Sequence, residues 1–438
     1  MSRLVPVVSA ALLLSVSACD GGAALDPARG FGPDPTLPAP HRSLLPVVNV
    51  AEAVGWPEGR MPTPAPGFRV QAFASGLDHP RWLYRLPNGD TLVAETNAPP
   101  KPEGMKGGAR GFFQRLFMKK AGAQVPSPNR ITLLRDADGD GVAETKTAFL
   151  QNLMSPFGMA LIGDTLYVAN ADAVVAFPYQ PGQTQITAAP RRIAELPAAR
   201  NHHWTKSLVA SRDGSRLYVG VGSNSNVGEN GLEEEVDRAA ILEIDPATGA
   251  RRVFASGLRN PVGLAWQPDS GRLWVSVNER DELGHDLVPD YMTSVTPGGF
   301  YGWPWSYYGQ IVDERVEPAN PGRVASALKP DYALGAHTAS LGLTFGEGAM
   351  FPARYRGGAF VGQHGSWNRK PRNGYRVIFV PFANGAPAGP PEDLLTGFIN
   401  EQDQAMGRPV GVQFDARGAL LVADDVGNVI WRVSPSAP

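Results

Sequence analysis

A single cysteine, Cys19, stands in 438 residues, which excludes disulfides, CxxC redox chemistry and thiolate zinc sites. An excess of charge of either sign is also missing. With 40 Lys and Arg against 42 Asp and Glu, the net charge is −2, so bulk electrostatics gives no reason to expect nucleic acid or an acidic membrane as the main partner. No long amphipathic heptad pattern runs through the chain, and helix should therefore be scarce. Turn formers are what the chain has in quantity: 50 Gly and 41 Pro suit many short strands joined by tight turns.

Those strands recur. Six runs share one form, a polar or glycine-bearing entry, an apolar strand, a turn, and a second strand of hydrophobic-Val-Ala/Ser/Gly type ending in a polar residue. They are His79 to Glu95, Ser155 to Asn170, His203 to Gly222, Arg259 to Glu279, Ala339 to Gly365 and Arg408 to Asp425. Repeats roughly 50 to 85 residues apart, each opening on a hairpin, have the spacing of propeller blades of four strands plus loops. A blade cannot cover both of its faces alone, so blades pack radially and close into a ring. The expectation is an all-β chain, a six-bladed β-propeller over residues 67–438. Closure should bring the residues that open each inner strand to one mouth of the central channel: His79, Arg81, His202, His203, Arg259, Asn260, His337 and Arg408.

Residues 1–19 read as a bacterial lipoprotein signal peptide. Arg3 precedes an apolar stretch from Leu4 to Leu14, and Val16-Ser17-Ala18 leads into Cys19, which would be lipidated and anchor the protein to a membrane; an ordinary signal peptide with an incidental cysteine is the alternative. Residues 20–66, rich in Pro, Gly and Ala, suggest a poorly ordered tether. Two insertions interrupt the blades. The first, about 99–128, carries basic and Phe residues that could form an amphipathic helix on lipid or one packed on the propeller. The second, about 310–335, is expected to overhang the mouth as a loop. Asp136-Ala137-Asp138-Gly139-Asp140-Gly141 matches the first half of a calcium loop, but Thr147 stands where the closing Glu belongs, and a turn built on Asx bonds explains it equally.

The segments His202-His203-Trp204-Thr205-Lys206-Ser207-Leu208, Gly257 to Trp266, Asn278 to Gly284, Gly298 to Pro304 and His364 to Arg369 resemble the quinoprotein sugar dehydrogenases, the family of soluble glucose dehydrogenase and L-sorbosone dehydrogenases. The likeness covers about residues 67 to 436. It implies pyrroloquinoline quinone and calcium as cofactors and a sugar or sugar aldehyde as substrate. A periplasmic acceptor, cytochrome c or a quinone, would take the electrons.

By that resemblance His203 is the base, a task suited to a neutral imidazole. Arg259 and Asn260 would steady negative charge developing on the quinone oxygen. His202, Arg259, Asn260, Trp367, Asn368, Arg369 and Arg408 would line the cofactor, whose three carboxylates call for converging cations. Trp367 could stack on the quinone or fill the blade core. Calcium would rest on the main-chain carbonyls of Glu279 and Arg280. Two other classes remain open, a calcium-dependent lactonase-type hydrolase and a non-catalytic binding propeller.

Overall fold

The computed structural model describes residues 22–41, 47–101, 120–122 and 125–436. Six antiparallel sheets, each built on four strands, make the ring. The first blade is Pro80–Arg85, Thr91–Glu95, Arg130–Arg135 and Thr145–Leu150; the second is Met159–Ile162, Thr165–Ala169, Ala173–Pro178 and Arg191–Glu195. The third runs Leu208–Ala210, Leu217–Val221, Ala240–Ile244, Arg251–Ser256, and the fourth Pro261–Trp266, Leu273–Val277, Pro289–Ser294, Tyr332–Ala336. The fifth is Ser340–Phe345, Ala359–Gln363, Arg376–Val380, Glu392–Thr396. In the sixth, Pro409–Phe414, Leu420–Asp424 and Val429–Pro435 are completed by the amino-terminal strand Phe68–Ala74, which closes the ring.

All six repeats seen in the sequence are the first two strands of a blade. Their second strands show no alternation of exposure, and Thr91–Glu95, Leu217–Val221 and Leu420–Asp424 are buried throughout, because each blade is covered on both faces by its neighbours. Each of the six junctions between blades has its own apolar core, such as Leu92, Ile131, Phe149, Leu166 and Val175 between the first and second. Burying one such side chain is worth about 2 kcal/mol, so closure is driven by the junctions together. The channel itself is stopped by one apolar residue from each blade: Trp82, Phe157, Trp204, Val262, Leu341 and Val410. Neighbouring inner strands approach so closely here that a Cβ on Gly342 would stand 2.2 Å from the Val410 carbonyl oxygen, and one on Gly411 2.7 Å from that of Arg81.

Two expectations are corrected. Residues 22–41 and 47–66 are not a free tether. Phe31–Gly32 adds a fifth strand to the fourth blade and Thr63–Pro64 one to the fifth. The span 310–335 is not one overhanging loop, since Tyr332–Ala336 is the fourth strand of its blade. The stretch before it, which includes the short helix Pro321–Ala325, still reaches the mouth through Arg315, whose Nη1 donates to the Asp281 carbonyl (3.0 Å). Cys19, residues 1–21 and most of the first insertion (102–119 and 123–124) lie outside the described residues.

Candidate functional site at the channel mouth

Strand direction decides which residues meet. First strands begin, and second strands end, on the same rim, so the polar residues at both places face one opening. On the first strands of four blades the pairing register shifts just past the rim, between Pro80 and Trp82, Pro261 and Gly263, Ser340 and Leu343, and Pro409 and Val412. Such bulges re-aim side chains near the end of a strand.

His203 Nδ1 lies 2.9 Å from the Ser223 carbonyl oxygen and 3.1 Å from Ser223 Oγ, which itself donates to the Ser225 carbonyl. An Nδ1–H bonded to that carbonyl leaves Nε2 with the lone pair, the tautomer a base requires. Burial first, and then the neighbouring Arg259, holds His203 well below its ordinary pKa of 6.5, so the ring is neutral. His202 meets it edge to face, with ring centroids 4.7 Å apart. Asn260 is adjacent: a Cβ on Gly222 would lie 2.5 Å from His203 Cβ and 2.4 Å from Asn260 Oδ1, so only glycine lets the two approach. Beneath the loop, buried Lys206 donates to Asn201 Oδ1 (3.1 Å) and to the Trp204 carbonyl (3.0 Å).

Arg259 is 2% exposed and fans its donors over one wall. Nη1 donates to the Glu279 carbonyl (2.7 Å), Nη2 to Asn226 Oδ1 (2.9 Å), and Asp281 Oδ2 stands 3.5 Å away. Asp281 also binds Asn368 Nδ2 (2.9 Å) and His337 Nδ1 (3.2 Å), while His337 Nε2 lies 2.8 Å from the Gly284 carbonyl oxygen. Both partners of His337 are acceptors, so the ring donates from both nitrogens and is an imidazolium. Burial alone would push the Asp281 carboxyl up; His337, Arg259 and Asn368 outweigh it and hold it below the usual range.

A second carboxylate, Asp425, organises the other side. Arg81 Nη1 reaches it at 2.8 Å and His364 Nε2 at 2.9 Å, with His79 Nε2 at 3.7 Å. Burial works against its charge, but these partners keep it ionised well below the usual carboxylate range. The Arg81 guanidinium lies 5.8 Å from the ring centroid of Trp204, the neighbour of His203, which joins this cluster to the base. Arg408 is buried here over the Tyr375 ring, 5.4 Å from its centroid, with its main-chain N–H donating to Asp424 Oδ1 (2.8 Å).

The residues expected from the sequence therefore divide. His202, His203, Arg259, Asn260, Asn368 and Arg408 lie around the mouth. Trp367 is 40% exposed beside Asn368, which removes the core-filling role. Arg369 is turned away: its guanidinium pairs with Asp286 (3.0 Å) and donates to the carbonyls of His285 (2.9 Å) and Pro371 (2.7 Å), so it holds loops together and does not face a ligand. Side chains of Glu279 and Arg280 also point away, into a buried network in which Arg280 binds Glu279 Oε2, Asp313 and the Pro304 and Ser306 carbonyls.

Asp281, His364 and Asp425 were missed as site residues, and His337, expected at the mouth, had been given no role there. The polar ending common to the second strands was the signal that could have found His364 and Asp425, since it places them on the same rim.

Buried polar atoms without a hydrogen-bond partner gather around this opening: Asn260 Oδ1, Asn368 Oδ1, Arg408 Nε and Arg81 Nε. Such atoms are costly unless a ligand or water completes them. Elsewhere, carboxylate oxygens of Asp136, Asp138, Asp140 and Glu144 fall within 4.8 Å of one another in the hairpin turn, but they accept from the turn's own N–H groups, as Asp136 does from Gly139 and Gly141. Hollows of about 470 Å³ (Arg85 to Pro87, Glu347 to Ala349, Asp415 to Gly418) and about 250 Å³ (Leu161 to Gly163, Ala210 to Gly214) lie on the opposite rim, among hairpin tips.

Fold and site define a six-bladed propeller whose plugged channel carries neutral His202 and His203, fixed cations and unfilled buried donors and acceptors on a single rim. A family model described as TrAA12-like matches residues 129–296 and 320–436, and the chain belongs to that family. It is 25% identical over 420 residues to the pyrroloquinoline quinone-dependent pyranose dehydrogenase of Coprinopsis cinerea, covering 82% of this chain but 55% of that protein. Against the pyrroloquinoline quinone-dependent sugar dehydrogenase of Hypocrea jecorina, identity is 22% over 427 residues, covering 86% and 90% of the two chains. The solved pyrroloquinoline quinone domain of the Coprinopsis cinerea pyranose dehydrogenase, in its holo form, superposes with a TM-score of 0.69 at 22% identity, over 88% of this chain and all of that one. The quinone-bound aldose sugar dehydrogenase of Streptomyces coelicolor gives 0.55 at 18% identity, over 85% of this chain and all of that one.

Proposed function

We propose that this protein oxidises a sugar or sugar aldehyde, of the sorbosone or aldose kind, with pyrroloquinoline quinone bound over the apolar plug. The observation that carries the reading is the neutral His203, held by Ser223 with Nε2 left to accept a proton, beside Arg259, Asn260 and unfilled buried donors. The names of the curated relatives support it. An Arg-rich mouth also favours an anionic cofactor over the lactonase alternative, which would want acidic side chains converging on an ion.

Arg408 and Arg81 have donors placed to take the cofactor's carboxylates, Asn368 Oδ1 can accept from a protonated group of the ligand, and Trp367 offers an exposed ring beside them. Bound there, the quinone supplies the hydride acceptor. His203 Nε2 would take the substrate's hydroxyl proton, and the fixed Arg259 charge, with Asn260 beside it, would stabilise negative charge growing at the mouth. The apolar plug keeps water from entering behind the ring.

Calcium fits less directly. The Glu279 carbonyl that would hold it already accepts from Arg259 at 2.7 Å, so an ion there must exchange that bond, and no chemical step is routed through it.

A periplasmic protein anchored through lipidated Cys19, passing electrons to a cytochrome c or a membrane quinone, completes the proposal. Ala23 N donates to the Lys370 carbonyl beside the mouth (2.6 Å), four residues after Cys19. Extended chain spans at most about 3.5 Å per residue, so the lipid would keep this rim within roughly 14 Å of its attachment point.

The test is an absorbance titration with pyrroloquinoline quinone, followed by dye reduction across a sugar panel. Tight binding and turnover lost in His203→Ala are expected. No binding, or full activity in that variant, would end the reading.

A further inference from the structure

We propose that the amino-terminal segment around Asn49 and Trp56 is a wall of the quinone-binding mouth, with both residues acting as positioning residues for Asn368 and Arg408. The inference rests on the quinone reading above and extends it to a segment that the sequence suggested was only a tether.

Asn49 makes three bonds to one loop. Its N–H donates to the Trp367 carbonyl (2.7 Å), its Nδ2 to the Arg369 carbonyl (2.7 Å), and its own carbonyl accepts from Arg372 Nη1 (2.7 Å). The first two carbonyls flank Asn368 on either side, so Asn49 fixes the peptides from which the Asn368 side chain projects. That side chain gives Nδ2 to Asp281 and keeps a buried, unpartnered Oδ1.

Trp56 acts on the neighbouring cation. Its Nε1 donates to Asp424 Oδ2 (2.7 Å), while Asp424 Oδ1 accepts the main-chain N–H of Arg408 (2.8 Å) and of Gly427 (2.8 Å). Between the two, the carbonyl of fully buried Ala51 accepts from Arg408 Nη2 (3.3 Å), leaving Arg408 Nε without a partner. The segment is itself stitched down. Ala405 donates to the Glu52 carbonyl (2.7 Å) and accepts from the Val54 N–H (2.9 Å), and Trp56 packs edge-on against Phe398 and Trp431. Three residues, Asn49, Ala51 and Trp56, thus steer two separate groups toward one opening, which packing alone does not require.

The experiment uses the full chain. Asn49→Asp puts an acceptor against the Arg369 carbonyl; Trp56→Phe removes the N–H and keeps the ring. Quinone affinity is measured by equilibrium titration, with thermal midpoint and hydrogen exchange over residues 366–372 read in parallel. Losing a bond that aims a buried polar group predicts affinity about tenfold weaker for Asn49→Asp and about three- to tenfold weaker for Trp56→Phe. Both should remain folded at the assay temperature, with exchange raised in the loop for Asn49→Asp. Met61→Ser, at a 51% exposed position of the same segment, should bind like the natural chain. Asn49→Ala gives the same readout should Asn49→Asp not fold. Unchanged affinity in folded variants overturns this inference alone, as does an equal loss in Met61→Ser. Failure of the natural chain to bind quinone overturns it together with the functional reading.

Discussion

On the far rim of the ring, where first and second strands turn, charges meet in water. Arg85 reaches Glu347 at 2.9 Å with both side chains about a third to a half exposed, and two open hollows lie there. On the mouth rim the ion pairs are sealed: Asp425 is 2% exposed at the side chain and holds Arg81 and His364, and Arg259 beside Asp281 is 3% exposed. The far rim offers volume with its polar groups satisfied by solvent. The mouth offers a set of buried donors and acceptors that the protein does not complete. A hollow by itself does not make a site; unsatisfied buried chemistry points to the mouth.

Activity should break this symmetry most strongly. His203→Ala is expected to lower kcat for dye reduction by about 10²- to 10⁴-fold, the range for a lost general base, and Arg259→Gln by about 10²- to 10³-fold as a lost oxyanion donor. Glu347→Ala on the far rim should change neither kcat nor KM, and equal losses at both rims would dissolve the contrast.

Binding comes next. Arg408→Gln should weaken quinone affinity by about 10- to 100-fold, since a charge-assisted contact to a carboxylate becomes a neutral one; a titration showing less than a twofold change would remove Arg408 from the site.

A smaller effect concerns calcium. Because Arg259 occupies the Glu279 carbonyl, calcium alone should bind weakly by calorimetry. It should bind about tenfold or more tightly once quinone is present, and by reciprocity calcium should tighten quinone by the same factor. Tight calcium binding without quinone would show that the Arg259 bond is no obstacle.

The finest test is pH. His203 works neutral and is lost on protonation, and its depressed pKa means the proton binds only well below 6.5. The acid limb of kcat/KM should therefore lie on the acid side of 6.5. Arg259→Gln removes one of the forces lowering that pKa and should move the limb upward. A limb at or above 6.5 in the natural chain would contradict the neutral, buried base.

Much of this was legible before any coordinates. A strand pair repeated six times was enough for the blade count, because each pair with its turn is a local pattern; that Gly342 and Gly411 tolerate no side chain appeared only in the structure. His203, Arg259, Asn260 and Arg408 were visible as rim residues for the same reason: their position relative to the first strand is a local property. Arg369 was misjudged because its residue type is right and only its direction is wrong; Asp286, 83 positions earlier in the chain, turns it inward. The amino-terminal segment was read as a tether because Pro and Gly describe a chain without helix or alternation. They are silent on whether carbonyls and side chains hundreds of residues away will bind it.

What the chain alone determined was periodicity: the number of blades, which residues open each one, and the neutrality of overall charge. Those follow from local pattern, since a strand's face and a turn's conformation depend on residues within a few positions. The tertiary structure decided everything that depends on burial and on partners distant in sequence: the neutral state of His203, the imidazolium at His337, and which arginines face the opening. It also decided that residues 47–56 belong to the mouth. A proton's preference and a guanidinium's direction are set by the groups packed around them, and only closure of the ring brings those groups together.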